Sequence, residues 1–69
     1  MLKKSVIIAK RHPTSVSLEE EFWRELNNIS KSEKISINAL ITKIDAERNN
    51  ENLSSAIRVF ILNYIKTSR

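Results

Sequence analysis

The chain has 69 residues, no cysteine, no glycine and one histidine, and its formal net charge at pH 7 is +4. A chain of this length forms one domain at most, and so small a core usually needs a disulfide, a metal or a partner chain. The missing cysteines exclude a disulfide and a thiolate metal site, and one histidine cannot hold a metal alone. We therefore expect no cofactor and predict self-association.

The positive charge is concentrated at the N-terminus. Residues 1–18 contain four basic residues and no acidic one, whereas residues 19–69 contain eight of each; the four are Lys3, Lys4, Lys10 and Arg11. Such a block suits a polyanion such as DNA, although a solvated tail that only aids solubility has the same composition. Residues 1–13 are assigned to a basic arm, in which Ser5 to Ala9 form either a flanking strand or a flexible segment.

No segment approaches the roughly 20 apolar residues that span a bilayer. The apolar run Val6 to Ala9 is too short for a secretory signal and ends at Lys10. We expect a soluble cytoplasmic protein. The sequence also has no glycine-rich phosphate loop and no carboxylate–histidine pair in a recognisable spacing, so it does not indicate an enzyme.

Residues 14–18 alternate and predict the one convincing strand. Val16 and Leu18 lie on one face and Ser15 and Ser17 on the other, because strand side chains have a period of two. Pro13 has no amide hydrogen and suits the start of a strand, not its middle. A lone strand needs a partner, and the simplest partner is the same segment of a second copy.

Three helices are expected, over residues 20–32, 36–48 and 53–66, in a domain that spans residues 14–69. Carboxylates open the first helix, Ser36 caps the second, and Asn52 or Ser54 caps the third. Phe22 and Trp23 are interpreted as core residues. The third helix is apolar around most of its circumference, which predicts a dimer interface. Without glycine, asparagine and serine must serve at the bends.

The residue pattern resembles the ribbon-helix-helix family of Arc/MetJ-type bacterial transcription factors. The matching segments are Thr14-Ser-Val-Ser-Leu-Glu19, the Phe22-Trp23 pair with Leu26 and Ile29, and Ile35-Ser-Ile-Asn-Ala-Leu-Ile41. The chain looks like a branch with a basic N-terminal arm, an Ile44-Asp-Ala-Glu-Arg48 end to the second helix, and a third helix that begins Asn52-Leu-Ser-Ser-Ala-Ile-Arg-Val59. The resemblance covers roughly residues 5–65. It implies a mainly helical fold with one β-strand per chain, in an intertwined dimer with an intermolecular antiparallel ribbon.

In such proteins the ribbon enters the DNA major groove. The resemblance implies that Ser15 and Ser17 face base edges. Ser17 has an alternative role, since Ser17-x-x-Glu20 matches a capping box. The family usually places a long polar side chain where this chain has Pro13, and Arg11 has the same parity, so Arg11 contacts either a base or a phosphate.

The resemblance also implies phosphate contacts at the start of the second helix, where free amides and the helix dipole suit an anion. The expected phosphate contacts are Lys3, Lys4, Lys10, His12, Lys34, Ser36, Ile37 and Asn38. Plain capping is the alternative for Ser36 and is compatible with a phosphate contact.

The sequence therefore predicts a homodimeric, sequence-specific DNA-binding protein that acts as a small transcriptional regulator, without a membrane partner. Dimers that associate further on DNA are compatible with this prediction. One alternative is a DNA-binding antitoxin or plasmid accessory protein that also binds a protein partner. Another, from a different class, is a helical adaptor that binds proteins and not DNA.

Overall fold

A computed structural model describes residues 1–8, 12–49 and 52–67 of the chain. Two strands precede three helices, which gives the mainly helical ribbon-helix-helix order that the sequence predicted. The elements are β1 (Leu2–Ile8), β2 (His12–Leu18), α1 (Glu20–Glu33), α2 (Ile37–Glu47) and α3 (Leu53–Thr67). Each helix boundary lies within one residue of the expected position.

The expectation of one strand per chain is wrong, because residues 2–8 form a strand, which agrees with the flanking-strand alternative for this segment and not with a flexible arm. β1 and β2 pair antiparallel within the chain, from Leu2 opposite Leu18 to Ile8 opposite His12. β1 is not evident from the sequence because its apolar and polar residues do not alternate. Lys4 has the parity of the buried Val6, whereas the apolar Ile7 has the opposite parity and is 51% exposed. β2 therefore has a hydrogen-bonding partner within its own chain and does not need a second copy to supply one.

β2 begins at His12, two residues before the expected start, and includes Pro13. Pro13 lies opposite Ile7 near one end of the sheet. Proline cannot donate to a ladder, but it is tolerated at the end of a strand that has an unpaired edge. Within the described residues the sheet has only these two strands, so β2 has such an edge, and this explains why the strand continues through Pro13.

The hydrophobic core lies between the sheet and the three helices. Val16 and Leu18 are 1% and 0% exposed, as their parity predicted. Trp23 is also buried, and its indole N–H donates to the carbonyl of Leu2 at 2.9 Å. Phe22 is half-buried and packs against the same cluster. The remaining buried apolar residues are Val6, Leu26, Ile29, Leu40, Ile41, Ile44, Ala56, Ile57 and Ile61.

α1 ends at a lysine in the left-handed conformation, not at the asparagine or serine that the sequence suggested. Lys34 has φ 59° and ψ 38°. Its amide donates to Lys31, and the amide of Ile35 donates to Ser30. These two bonds form a Schellman motif, which usually has glycine at the left-handed position. The chain has no glycine, so Lys34 takes this conformation with its side chain exposed.

Side chains cap the other two helices at their N-termini. The Ser36 hydroxyl accepts from the amide of Ala39 at 3.0 Å, and the Asn52 side chain accepts from the amide of Ser55 at 2.8 Å. Of the two caps considered for α3, the structure therefore has Asn52. Within the described residues, none of the helices is both long enough and apolar enough to cross a bilayer.

Candidate nucleic-acid interface

The hairpin presents a polar outward face, opposite to the face that covers the core. Residues directly opposite in an antiparallel pair point to the same face. Ser15 and Ser17 have the parity opposite to the buried Val16, and they lie across from Ser5 and Lys3. Lys3, Ser5 and Ser15 are exposed, and Ser17 is partly exposed. One face of a two-stranded ribbon therefore carries three hydroxyls and an ammonium group.

Lys4 lies apart from this surface, although it is adjacent to Lys3 in sequence. Its partner is Val16, so it has the parity of the core. The side chain reaches solvent at the margin of the sheet, with its amine 5.1 Å from the centre of the Trp23 ring. This cation–π contact also covers the indole. The structure thus separates two lysines that the sequence placed together as phosphate contacts.

Ser17 does not cap a helix in this structure. α1 begins at Glu20, and Glu19 occupies the N-cap position without a side-chain capping bond. The capping-box alternative required the helix to begin a turn earlier. Ser17 instead belongs to β2, so its hydroxyl lies on the outward face of the ribbon.

The start of α2 forms a second polar surface. The Ser36 hydroxyl is engaged by the amide of Ala39. The amides of Ile37 and Asn38 belong to the first turn, where a helix has no partner for its N–H groups. Lys34 lies two residues before the cap and is exposed. Backbone donors, the positive end of the helix dipole and an ammonium group together suit an anion.

Of the remaining expected contacts, the structure places only His12. His12 is exposed at the first position of β2, opposite Ile8. Lys10 and Arg11 lie in the segment between the strands, outside the described residues. The structure therefore brings Lys3, Ser15 and Ser17 onto one surface and Lys34, Ser36, Ile37 and Asn38 onto another.

An ion pair between α3 and the end of the ribbon was not foreseen from the sequence. The Nε of Arg58 lies 3.0 Å from Oε1 of Glu19. The pKa of Glu19 is lowered. The largest cause is a hydrogen bond from its own backbone amide, and the next is the hydrogen bond from Arg58. The Arg58 guanidinium also lies 5.9 Å from the centre of the Phe22 ring. Arg58 lies in the Leu53-Ser-Ser-Ala-Ile-Arg58 segment that the sequence analysis singled out, but nothing in that segment indicates Glu19 as its partner.

An open cleft of about 450 Å³ lies beside β2. β2 forms one wall, with Thr14, Ser15 and Ser17, and β1 contributes no residue to the lining apart from the preceding Met1. The other described lining residues are Arg48, which follows α2, and Asn52, Leu53, Ser54 and Arg58 at and just before the start of α3. Both arginines have carboxylate partners, Asp45 for Arg48 and Glu19 for Arg58.

A two-stranded ribbon with a cationic, hydroxyl-bearing face is typical of nucleic-acid-binding domains. The family comparison agrees. The sequence model of the ribbon-helix-helix domain matches residues 1–65, and the chain belongs to this family. Domains of this family bind DNA as regulators and are not enzymes. No significant match to the chain was found among curated proteins or among solved structures.

Proposed function

We propose that this chain is a homodimeric, sequence-specific DNA-binding protein that acts as a small transcriptional regulator in the bacterial cytoplasm. The observation that carries the proposal is the register of the hairpin, which places Lys3 beside Ser17 and Ser5 beside Ser15 on one exposed face. A β-ribbon of this kind fits the major groove of B-DNA, which is about 12 Å wide.

Ser15 and Ser17 are the proposed base contacts, because they project from the outward face of β2. A hydroxyl can donate or accept, so each serine alone discriminates weakly between bases. Arg11 is the proposed third contact, since arginine is a common partner of guanine. Selectivity in this proposal arises from several weak contacts repeated in two chains.

Phosphate contacts supply most of the affinity in this proposal. Lys3 and His12 lie in the hairpin, and Lys34, Ser36, Ile37 and Asn38 lie around the start of α2. Lys10, which is outside the described residues, is proposed as a further phosphate contact. The two surfaces suit the two kinds of contact that position a protein on a duplex, namely ammonium groups and helix N-termini. Lys4 is left out, because its amine lies over Trp23 on the other face of the sheet.

Dimerisation is supported by two features of the chain. The edge of β2 that faces away from β1 pairs with no other strand among the described residues. On α3, Val59 and Leu62 are 54% and 52% exposed, and they lie three residues apart on one side of the helix. Large apolar side chains at this spacing suit a helix–helix contact with a second copy.

The direct test is a titration of duplex DNA, enriched from a random pool, at several salt concentrations. If each chain of a dimer places Lys3 and Lys34 on phosphates, four contacts give a slope of log affinity against log salt of about −3.6 or steeper. Ser15→Ala should change the preference among sites more than it changes the overall affinity. Absence of binding to any duplex at low salt overturns the proposal.

The same protein, with a variant of its basic residues, distinguishes the proposed function from the adaptor and antitoxin alternatives. Neutralising Lys3, Lys4, Lys10 and Arg11 together should abolish DNA binding, whereas a protein-binding adaptor would keep its partner. A second protein that co-purifies stoichiometrically, and whose toxicity this chain relieves, would favour the antitoxin alternative. In either case the salt titration shows whether DNA binding is retained.

A further inference from the structure

The two strands of the hairpin have different outer edges. β1 carries Lys3 and Lys4, and Trp23 packs against its start, where the indole donates to the Leu2 carbonyl and the Lys4 amine lies over the ring. Lysine and a covering side chain are common protections against further strand pairing. β2 contains no lysine, arginine, aspartate or glutamate, and among the described residues β1 is the one strand that pairs with it. The edge of β2 is therefore the one suited to accept another strand.

Pro13 indicates which groups this edge offers. Directly opposite residues alternate between pairs that exchange hydrogen bonds and pairs that do not. Pro13 has no N–H to exchange, so we assign its pair with Ile7 to the second kind. By alternation, the pairs of Ser15 with Ser5 and of Ser17 with Lys3 are of that kind too. The amides and carbonyls of Ser15 and Ser17 then point to the outer edge, beside the open cleft.

We infer that two copies pair through these edges while each β1 stays in place, so that the DNA-bound dimer contains a four-stranded sheet in the order β1–β2–β2–β1. This inference rests on the proposed function and specifies its dimer interface. A two-fold axis between the β2 strands makes the contact self-complementary. β2 of the second copy occupies the cleft between β2 and the start of α3.

The dimensions of such a sheet assign separate tasks to the strands. Neighbouring strands lie about 4.8 Å apart, so the two outer strands of four are roughly 14 Å apart. The major groove is about 12 Å wide. The paired β2 strands therefore fit within the groove, while both β1 strands lie over its phosphate-bearing walls. Lys3 and Ser5 are then phosphate contacts, and Ser5 is a contact that the sequence did not suggest.

A disulfide staple tests whether β1 stays paired. Val6→Cys with Thr14→Cys changes two directly opposite residues on the core side, and cross-strand pairs of Cα atoms about 5.5 Å apart suit a disulfide. The chain has no other cysteine, so the reduced form of the same variant is the matched control. DNA affinity and dimerisation are measured for both forms, after wild-type binding has been established.

We expect the oxidised and reduced forms to bind DNA with affinities within about twofold of each other, because the staple fixes a pairing that the complex retains. A loss of binding or dimerisation on oxidation, recovered with reductant, shows that β1 must leave and overturns the inference. If wild-type protein binds no DNA, the proposed function itself has failed.

A second measurement uses the wild-type protein and therefore does not depend on the folding of the cysteine variant. In the wild-type complex with DNA, NMR should show slow amide exchange at Lys4 and Val6, and short Hα–Hα distances between Ser5 and Ser15. Fast exchange at these β1 amides with the DNA bound contradicts the four-stranded sheet. Ser5→Ala should weaken binding roughly five- to tenfold on every duplex, whereas Ser32→Ala on exposed α1 should change it less than twofold; equal effects remove Ser5 from the interface.

Discussion

β1 and β2 have the same length and pair over their full extent, yet they contribute differently to the molecule. β2 buries Val16 and Leu18 almost completely and carries no Lys, Arg, Asp or Glu side chain. β1 buries only Val6 and carries Lys3 and Lys4. β2 is thus anchored by its own side chains. β1 is held by its pairing with β2, by Val6 with the partly buried Ile8, and by Trp23, and it carries the two lysines of the hairpin's described residues.

The largest expected effect concerns the anchoring strand. Leu18→Ala removes a fully buried side chain and should lower the free energy of unfolding by about 2–5 kcal/mol. The neighbouring Ser17→Ala, on the outward face, should change it by no more than about 0.5 kcal/mol. Chemical denaturation measures both. Similar losses for the two variants would show that the two faces of β2 are not distinct.

Trp23→Phe tests the weaker attachment of β1. The variant loses the indole hydrogen bond to Leu2 and part of the ring beneath Lys4. We expect a loss of about 1–2 kcal/mol in the free energy of unfolding, with faster amide exchange in β1 than in β2. Tyr64→Phe, which removes an exposed hydroxyl bond to Glu33, is the control and should be nearly neutral. Uniform acceleration in both strands would contradict a β1 held separately by Trp23.

Lys34→Gly tests the second polar surface, at the start of α2, by separating the backbone conformation of Lys34 from its charge. Glycine relieves the left-handed conformation, a gain of about 1–2 kcal/mol, and costs about 0.5–1 kcal/mol in chain entropy. The free energy of unfolding should therefore rise by about 0.5–1 kcal/mol, while DNA affinity falls with the loss of the charge. Lys31→Gly, within α1, should instead destabilise by about 1 kcal/mol. Destabilisation by Lys34→Gly would contradict a strained lysine at this turn.

The smallest expected effect is the pH dependence from Glu19, at the junction of β2 and α1. Its pKa is lowered in the folded protein from an ordinary value of 4.5. A lowered carboxyl pKa contributes stability that is present above 4.5 and is lost as the pH falls through the folded pKa. Glu19→Gln should flatten the stability profile in that acidic range. Glu21→Gln, in the same helical turn, is the control, and an equally flattened profile there would contradict the specific role of Glu19.

The elements with a clear period could be predicted from the sequence. The alternation of Ser15 to Leu18 gave β2 and both of its faces, and the helical spacings placed all three helices. β1 could not be predicted, because a lysine lies on its core side and an isoleucine on its outward side. Lys4 is tolerated there because its side chain is exposed and its amine lies over the Trp23 ring.

The candidate site was only partly predictable for a related reason. Parity identified Ser15 and Ser17, and the cap identified the start of α2. Parity within β1 was invisible without its register, so Lys3 and Lys4 received the same role and Ser5 received none. The Arg58–Glu19 ion pair joins residues 39 positions apart, which a single sequence does not display. The left-handed conformation of Lys34 is local, but lysine is not the residue type that signals it.

The two adjacent lysines of β1 give the most direct test of a DNA interface on the outward face. Lys3→Gln and Lys4→Gln remove the same charge from neighbouring positions on opposite faces. In a dimer with one phosphate contact per chain, Lys3→Gln should weaken binding roughly fiftyfold at 0.1 M salt and reduce the salt slope by about 1.8. Lys4→Gln should leave the slope nearly unchanged. Equal slopes for the two variants, or a larger change for Lys4→Gln, would contradict the account.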